Sequence, residues 1–229
     1  MNKETIEDIV EWDVKNWSKA LEYWMSESNI KMGNNHCLEL GGRGGGMSLW
    51  LALNGNEVIC SDVESPEPHA SKLHAKYNCS NRVSYQAIDA TNMPYENKFD
   101  LVVFKSVLGG ISSNGRDELK KKAIDEIYKA LKPSGKLLFA ENLESSFLHK
   151  ILRKRFIKWG GSWNYLKYEE IDSTFNTFEN VKYKTFGFFG AFGRTERQRG
   201  VLGNLDNLIN PIIPRAKKYI VYGVAEKGR

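Results

Sequence analysis

Five short strand-like runs, at residues 36–41, 57–62, 82–88, 99–104 and 136–140, are interleaved with helical periodicity at 47–53, 68–77 and 118–131. Strands separated by helices of this length need right-handed crossovers, so they lie parallel in one sheet with helices on both faces. The run Phe99-Asp-Leu-Val-Val-Phe104 is apolar almost throughout, as expected of a central strand covered on both sides. Segment 118–131 sets Leu119, Ala123, Ile127 and Leu131 on one stripe and is stopped by Pro133 and Gly135. Two later runs, 181–188 and 219–225, bring the expected strands to about seven. The predicted fold class is α/β, a doubly wound, mostly parallel sheet.

Outside that alternation the pattern loosens. Ile6, Ile9, Val10, Trp17, Leu21, Trp24 and Met25 recur at helical spacing ahead of the first strand and predict one or two amphipathic helices, a cap over residues 1–30. A polar turn is expected at 31–35. Beyond Glu141 come a basic helix at 145–159, a Gly-Gly-Ser-Trp loop, a short helix at 168–178 and an inserted helical segment at 194–214. In the last, Val201, Leu202, Leu205, Leu208 and Ile209 repeat at helical spacing. With 229 residues and no linker or repeat, a single domain over 1–229 is expected.

Composition narrows the class. Apolar residues at 41% and charged residues at 27% are ordinary for a globular chain, while six tryptophans and 12% aromatics fit either a ligand-enclosing site or packing. The formal charge of +5 is modest and, except at 149–158, dispersed, so nucleic acid is not indicated as a partner. Cys37, Cys60 and Cys79 match no metal-ligand or redox spacing and read as buried free thiols in a reducing compartment. No metal is expected. The N-terminus carries acids and lysines, not a basic region followed by an apolar stretch, and no run approaches the roughly 20 apolar residues that span a bilayer, so a cytoplasmic location is expected.

In open α/β sheets the ligand lies beyond the carboxyl ends of the strands, so the loop after the first strand is the candidate site. That loop is Gly41-Gly-Arg-Gly-Gly-Gly46, five glycines in six residues between a strand and a helix. Glycine lets backbone approach a ligand closely, and a helix N-terminus offers free amides. A dinucleotide fingerprint, G-x-G-x-x-G, fails here: from Gly41 its second glycine is Arg43, and from Gly42 its third is Met47.

What remains, Glu39-x-Gly41-x-x-x-Gly45, resembles the first motif of the class I S-adenosylmethionine-dependent methyltransferases, an acid two residues before a glycine loop. The resemblance continues through Asp62 at the end of the second strand, Asp89-Ala-Thr-Asn-Met-Pro94 after the third, the fourth strand, and Leu131-Lys-Pro-Ser-Gly-Lys-Leu-Leu-Phe139. It runs from about Leu38 to Glu141 and departs at Arg43, where the family usually has a second glycine.

The resemblance implies a Rossmann-like fold, S-adenosyl-L-methionine as cofactor, a cofactor-binding core at 36–142 and substrate-side elements at 143–229. Cofactor contacts are then expected from Glu39, Gly41, Gly42, Arg43, Gly45, Asp62, Val63, Asp89, Ala90, Lys105 and Ser106. It gives Asp62 to the ribose hydroxyls and Asp89 to the adenine amine. The residues alone leave Glu39 open to holding the loop through backbone amides, and Asp62 and Asp89 to turn chemistry.

Methyl transfer from a sulfonium is an in-line displacement, so orientation matters more than a base. For a base, the expectation falls on Glu141, which ends a buried strand where its pKa would rise; capping the next helix with Ser145 is the alternative. His149 is a second catalytic candidate. The basic helix is either a solvated basic face over a core-packed stripe of 148, 151, 152, 156 and 159, or a contact for an acidic substrate at an anionic membrane surface. Arg194 and Arg197 in a glycine-flanked loop suit carboxylate or phosphate, or a structural turn. The expected acceptor is a small molecule, such as a sugar or glycan precursor; an RNA or protein methyltransferase and a non-catalytic or NAD-dependent domain are the alternatives. Oligomeric state is not legible.

Overall fold

The computed structural model describes residues 1–28, 33–156 and 161–229, with no side-chain description at 156. Its strands are β1 (His36–Leu40), β2 (Glu57–Asp62), β3 (Val83–Ala87), β4 (Phe99–Lys105), β5 (Leu131–Asn142), β6 (Asn180–Phe186) and β7 (Ile220–Glu226). They form one seven-stranded sheet in the order β3-β2-β1-β4-β5-β7-β6. The first five pair in parallel and β7 runs antiparallel between β5 and β6. The chain winds outward in one direction from β1 and in the other from β4, so the switch point that α/β folds use for ligands lies between these two strands.

Helices cover both faces. On one lie α1 (Lys3–Val10), α2 (Val14–Glu27), α3 (Gly46–Leu53) and α4 (Glu67–Lys76); on the other α5 (Leu108–Ile111) and α6 (Glu118–Ala130). Beyond β5 come α7 (Phe147–Phe156), α8 (Ile171–Thr174) and α9 (Glu196–Ile209). Alternation along β4 divides the core: Leu101 and Val103 join the α1–α3 side, Val102 and Phe104 the α6 side. All four are fully buried, the physical reason this strand is apolar without a break.

The doubly wound, mostly parallel sheet of seven strands is as expected, and so are the paired N-terminal helices. The fifth strand is longer than the sequence pattern suggests, because Leu131 already pairs with Phe99 and residues 132–135 bulge in the register shift before Lys136 pairs with Leu101. The single turn α5 was hidden by its Leu-Gly-Gly-Ile sequence, too short and glycine-rich to show a period. The expected helix at 168–178 shrinks to one turn of 3-10 helix plus α8. Positions 29–32 and 157–160, which hold the end of the cap, part of the polar turn, the end of the basic helix and Gly160, lie outside the described residues. The three cysteines are free and buried. No described helix is long and apolar enough to cross a membrane.

Candidate active site

The chain leaves β1 at Leu40 and turns at Gly41, whose φ of 68° lies in the left-handed region. A Cβ there would stand 2.5 Å from Val107 Cγ2, so the turn and the loop after β4 can touch only because this residue is glycine. Glu39, 4% exposed, reaches under the loop to the start of α3. Its Oε1 accepts from the Met47 amide at 3.1 Å, and its Oε2 accepts from the Ser48 amide at 2.9 Å and from the Ser48 hydroxyl. The free amides expected at this helix N-terminus are therefore already taken by a carboxylate. Burial pushes the Glu39 carboxyl up to about 7, against the pull of those donors.

Two cavities flank the loop. The larger, about 620 Å³, is lined by Asp62, Val63, Asp89 and Ala90, together with Gly41, Arg43 and Ser106. Asp62 Oδ1 accepts from the Val63 amide at 2.7 Å and Oδ2 from the Arg43 amide at 3.3 Å. Asp89 Oδ1 accepts from the amide and hydroxyl of Thr91, both at 2.8 Å. Each carboxylate is thus aimed by a short turn and keeps lone pairs for a ligand. Arg43 adopts φ 35°, the left-handed conformation that a second glycine would take without strain.

The smaller cavity, about 220 Å³, shares Gly41, Arg43 and Ser106 with the first and adds Glu39, Gly42 and Lys105. Its remaining wall comes from places the sequence reading did not single out: Ile9, Glu11 and Trp12 from the end of α1, Met47 from α3, and Trp163 from the loop after α7. Lys105 ties this wall down, donating to the Val10 carbonyl at 2.6 Å with its ammonium 4.7 Å from the Trp12 ring centroid. Desolvation pushes Lys105 down to about 8. Trp163 is held by its neighbours, since the Asn164 amide donates to Gly109 O at 3.0 Å and the Asn164 side chain to Asp117 at 2.7 Å. The tryptophan excess was the only sequence signal for this wall, and it did not say which tryptophans.

Three expected site residues stand elsewhere. Gly45, at φ 80°, lines neither cavity; a Cβ there would meet His74 and Ala70, so it serves the seat of α4 against the loop. Glu141 is fully buried and also lines neither cavity. Its Oε2 accepts from the Val107 and Leu108 amides at 2.8 and 2.7 Å, and its Oε1 from the Asn142 amide at 2.9 Å. Burial raises it to about 7, but the oxygens that a base would use hold the start of α5, and it caps that turn, not the helix after Ser145. His149, 1% exposed, sits between α7 and the turn at Gly190–Phe192, bonded to Ser146 Oγ at 2.7 Å and Phe188 O at 2.9 Å. It lines a separate cavity with Arg153 and Arg194. Asn142 donates to Ser106 Oγ at 2.6 Å and sets the hydroxyl between the two cavities.

Residues 38–139 match the sequence profile of a methyltransferase domain family. These residues carry a class I, S-adenosylmethionine-dependent methyltransferase domain. The matched stretch runs from β1 into β5, and residues 140–229 lie outside it. No curated protein sequence matches the chain significantly.

Solved structures share the fold of this methyltransferase. A Haemonchus contortus phosphoethanolamine N-methyltransferase 2, in complex with S-adenosyl-L-methionine, is 17% identical with a TM-score of 0.66, over 96% of this chain and 56% of that one. The protein MccD is 17% identical at a TM-score of 0.63, over 91% and 96% of the two chains. The [4+2]-cyclase SpnF is 16% identical at a TM-score of 0.61, over 97% and 93%. A cyclase among these neighbours shows that the fold alone does not fix the reaction.

Proposed function

We propose that this methyltransferase binds the adenosine of S-adenosylmethionine in the larger cavity and its methionine end in the smaller one, and methylates a small molecule that enters beside Trp12 and Trp163. The observation that carries this reading is that the two cavities adjoin, with Gly41, Arg43 and Ser106 in the lining of both. Asp62 suits a pair of ribose hydroxyls and Asp89 an exocyclic amine, each a donor to a carboxylate. Arg43 suits the methionine carboxylate, and the charge of Glu39 and Glu11 suits the cationic end.

The arrangement disfavours a dinucleotide for a physical reason. A pyrophosphate would sit at the N-terminus of α3, where the Glu39 carboxylate already accepts from Met47 and Ser48. Two anions would compete for the same amides.

When bound, the cofactor supplies an electrophilic methyl group. The chain orients it and excludes water: Ile9, Trp12, Met47 and Trp163 wall the smaller cavity around the methionine end, and an approach confined between Trp12 and Trp163 suits a small acceptor better than a folded macromolecule. A sugar or glycan precursor belongs to that class. A cytoplasmic setting fits the three free thiols, and in this reading residues 1–229 act as one domain. Calorimetry with S-adenosylmethionine, S-adenosylhomocysteine and NAD tests the first half: binding of the first two and none of NAD is expected, and the reverse would overturn it. Transfer of labelled methyl into the low-mass fraction of a cell extract, and not into RNA or protein, tests the second.

A further inference from the structure

A helix packed on a sheet ordinarily buries its apolar stripe and shows water its charges. Helices α7 and α9 do the reverse. On α7 the inward residues are His149 and Arg153, while Phe147 is 76%, Leu148 48% and Ile151 44% exposed. Arg153 is held inside by Leu143 O at 2.7 Å and Glu144 O at 3.2 Å, with its guanidinium 4.1 Å from the Tyr165 ring centroid. On α9 the buried residues are Gly203 and Asp206, the latter accepting from the Phe188, Phe189 and Gly190 amides. Val201 is left 66%, Leu208 78% and, just beyond the helix, Ile212 79% exposed. The expectation of a core-packed apolar stripe on the basic helix is corrected at Leu148 and Ile151, while Leu152 is half-buried and the side chains at 156 and 159 lie outside the described residues: polar contacts fix both helices inward, and Phe147, Leu148 and Ile151 on α7 and Val201, Leu205 and Leu208 on α9 face out.

The same surface is cationic. Lys150, Lys154, Arg155, Arg197, Arg215 and Lys217 are exposed on α7, on α9 and in the turn before β7. No acid interrupts α7. The nearby acids are engaged: Glu144 pairs with Lys150 at 2.6 Å, Glu196 with Arg199 at 2.7 Å, and Asp206 is buried. Both helices pack against the turn at Gly190–Phe192, and Ser145 Oγ, just before α7, donates to the Lys217 carbonyl beyond α9, so the two helices are neighbours on one side of the molecule.

Topology places that patch on the working edge of the enzyme. The chain enters α7 from the carboxyl end of β5 and reaches α9 from the carboxyl end of β6, which runs parallel to β5. The glycine loop leaves the carboxyl end of β1 on the same edge.

We infer that the outer faces of α7 and α9 dock the enzyme peripherally on an anionic lipid bilayer, with Leu148, Ile151, Leu208 and Ile212 entering the interface and the flanking cations meeting lipid phosphates. Exposed aliphatic side chains ringed by Lys and Arg are the chemistry of that surface. A second copy of this face would set cations against cations, and a nucleic acid would leave the aliphatic side chains in water.

Co-sedimentation of the full chain with vesicles of phosphatidylcholine, with and without about one-third phosphatidylglycerol, tests this. Binding is expected on the anionic vesicles, at least about five-fold stronger than on neutral ones, and weakened by salt. Leu208→Ser with Ile212→Ser, and separately Lys154→Glu with Arg197→Glu, should each reduce it by about five-fold or more while cofactor affinity and the melting profile stay unchanged. Equal binding to both vesicle types, none to either, or full binding by both variants overturns the inference. So does self-association abolished by the same substitutions, or preferential binding of single-stranded RNA.

Discussion

The amide of Arg43 donates to Oδ2 of Asp62 over 3.3 Å, tying the glycine loop to the tip of β2 where the two cavities meet. One carboxylate therefore shapes the loop and lines the larger cavity, where the adenosine is proposed to bind. Truncating it removes charge-assisted hydrogen bonds worth about 1.5–3 kcal/mol each, so Asp62→Ala should weaken S-adenosylmethionine about ten-fold or more. The side chain is only half-buried, so stability should change by less than about 1 kcal/mol. Calorimetry beside a thermal melt checks both, and undiminished affinity would remove Asp62 from the site.

Arg43 gives the opposite balance. At φ 35° an L side chain is strained by about 1–2 kcal/mol, and glycine is not. Arg43→Gly should leave the protein as stable or up to about 1 kcal/mol more so, after glycine's greater entropy loss. It should weaken S-adenosylmethionine but not free adenosine, because only the former carries a carboxylate for the guanidinium. Parallel titrations of the two ligands decide it.

Glu141 separates clamp from base. In Glu141→Gln an amide nitrogen must face one of the backbone donors from Val107, Leu108 or Asn142. The unmet bond should cost about 1–3 kcal/mol, visible as a lower urea midpoint. Once folded, the variant should keep the pH profile of methyl transfer; loss of a basic limb would restore Glu141 as the base.

His149 contributes a pH dependence whose sign follows from its burial, which pushes it down to about 4 in the folded chain. Between that value and the unfolded pKa of about 6.5 the unfolded chain binds more protons, so this group's stabilisation is complete above the upper value and is lost as pH falls. Asp13, Glu39 and Glu141, each raised to about 7, have the opposite sign. The difference between wild type and His149→Gln isolates the histidine: it should widen as pH rises from about 4 to 6.5, by up to about 3 kcal/mol. Urea titrations across that range measure it, and a constant difference would mean that His149 keeps an ordinary pKa.

Much of the fold was legible because central parallel strands advertise themselves: residues 99–104 are apolar on both faces since both faces are covered. Asp62 and Asp89 were legible because they end strands, and strand ends in a parallel sheet share one edge. Trp12 and Trp163 were not, since one precedes the sheet and the other follows α7, and nothing local marks either as facing the glycine loop. Glu141 misled for a related reason: its place at a strand end was right, but its side chain turns toward the amides of α5, an element without a sequence period.

By itself the sequence determined the strand-helix alternation, the glycine turn and the acids beside it, because periodicity and backbone conformation are local properties of the chain. Only the tertiary structure decided which wall closes the site and which way α7 and α9 turn. Helical spacing says which residues share a face, whereas whether that face goes inward depends on the partners that long-range packing brings to it, here carbonyls for Arg153 and amides for Asp206.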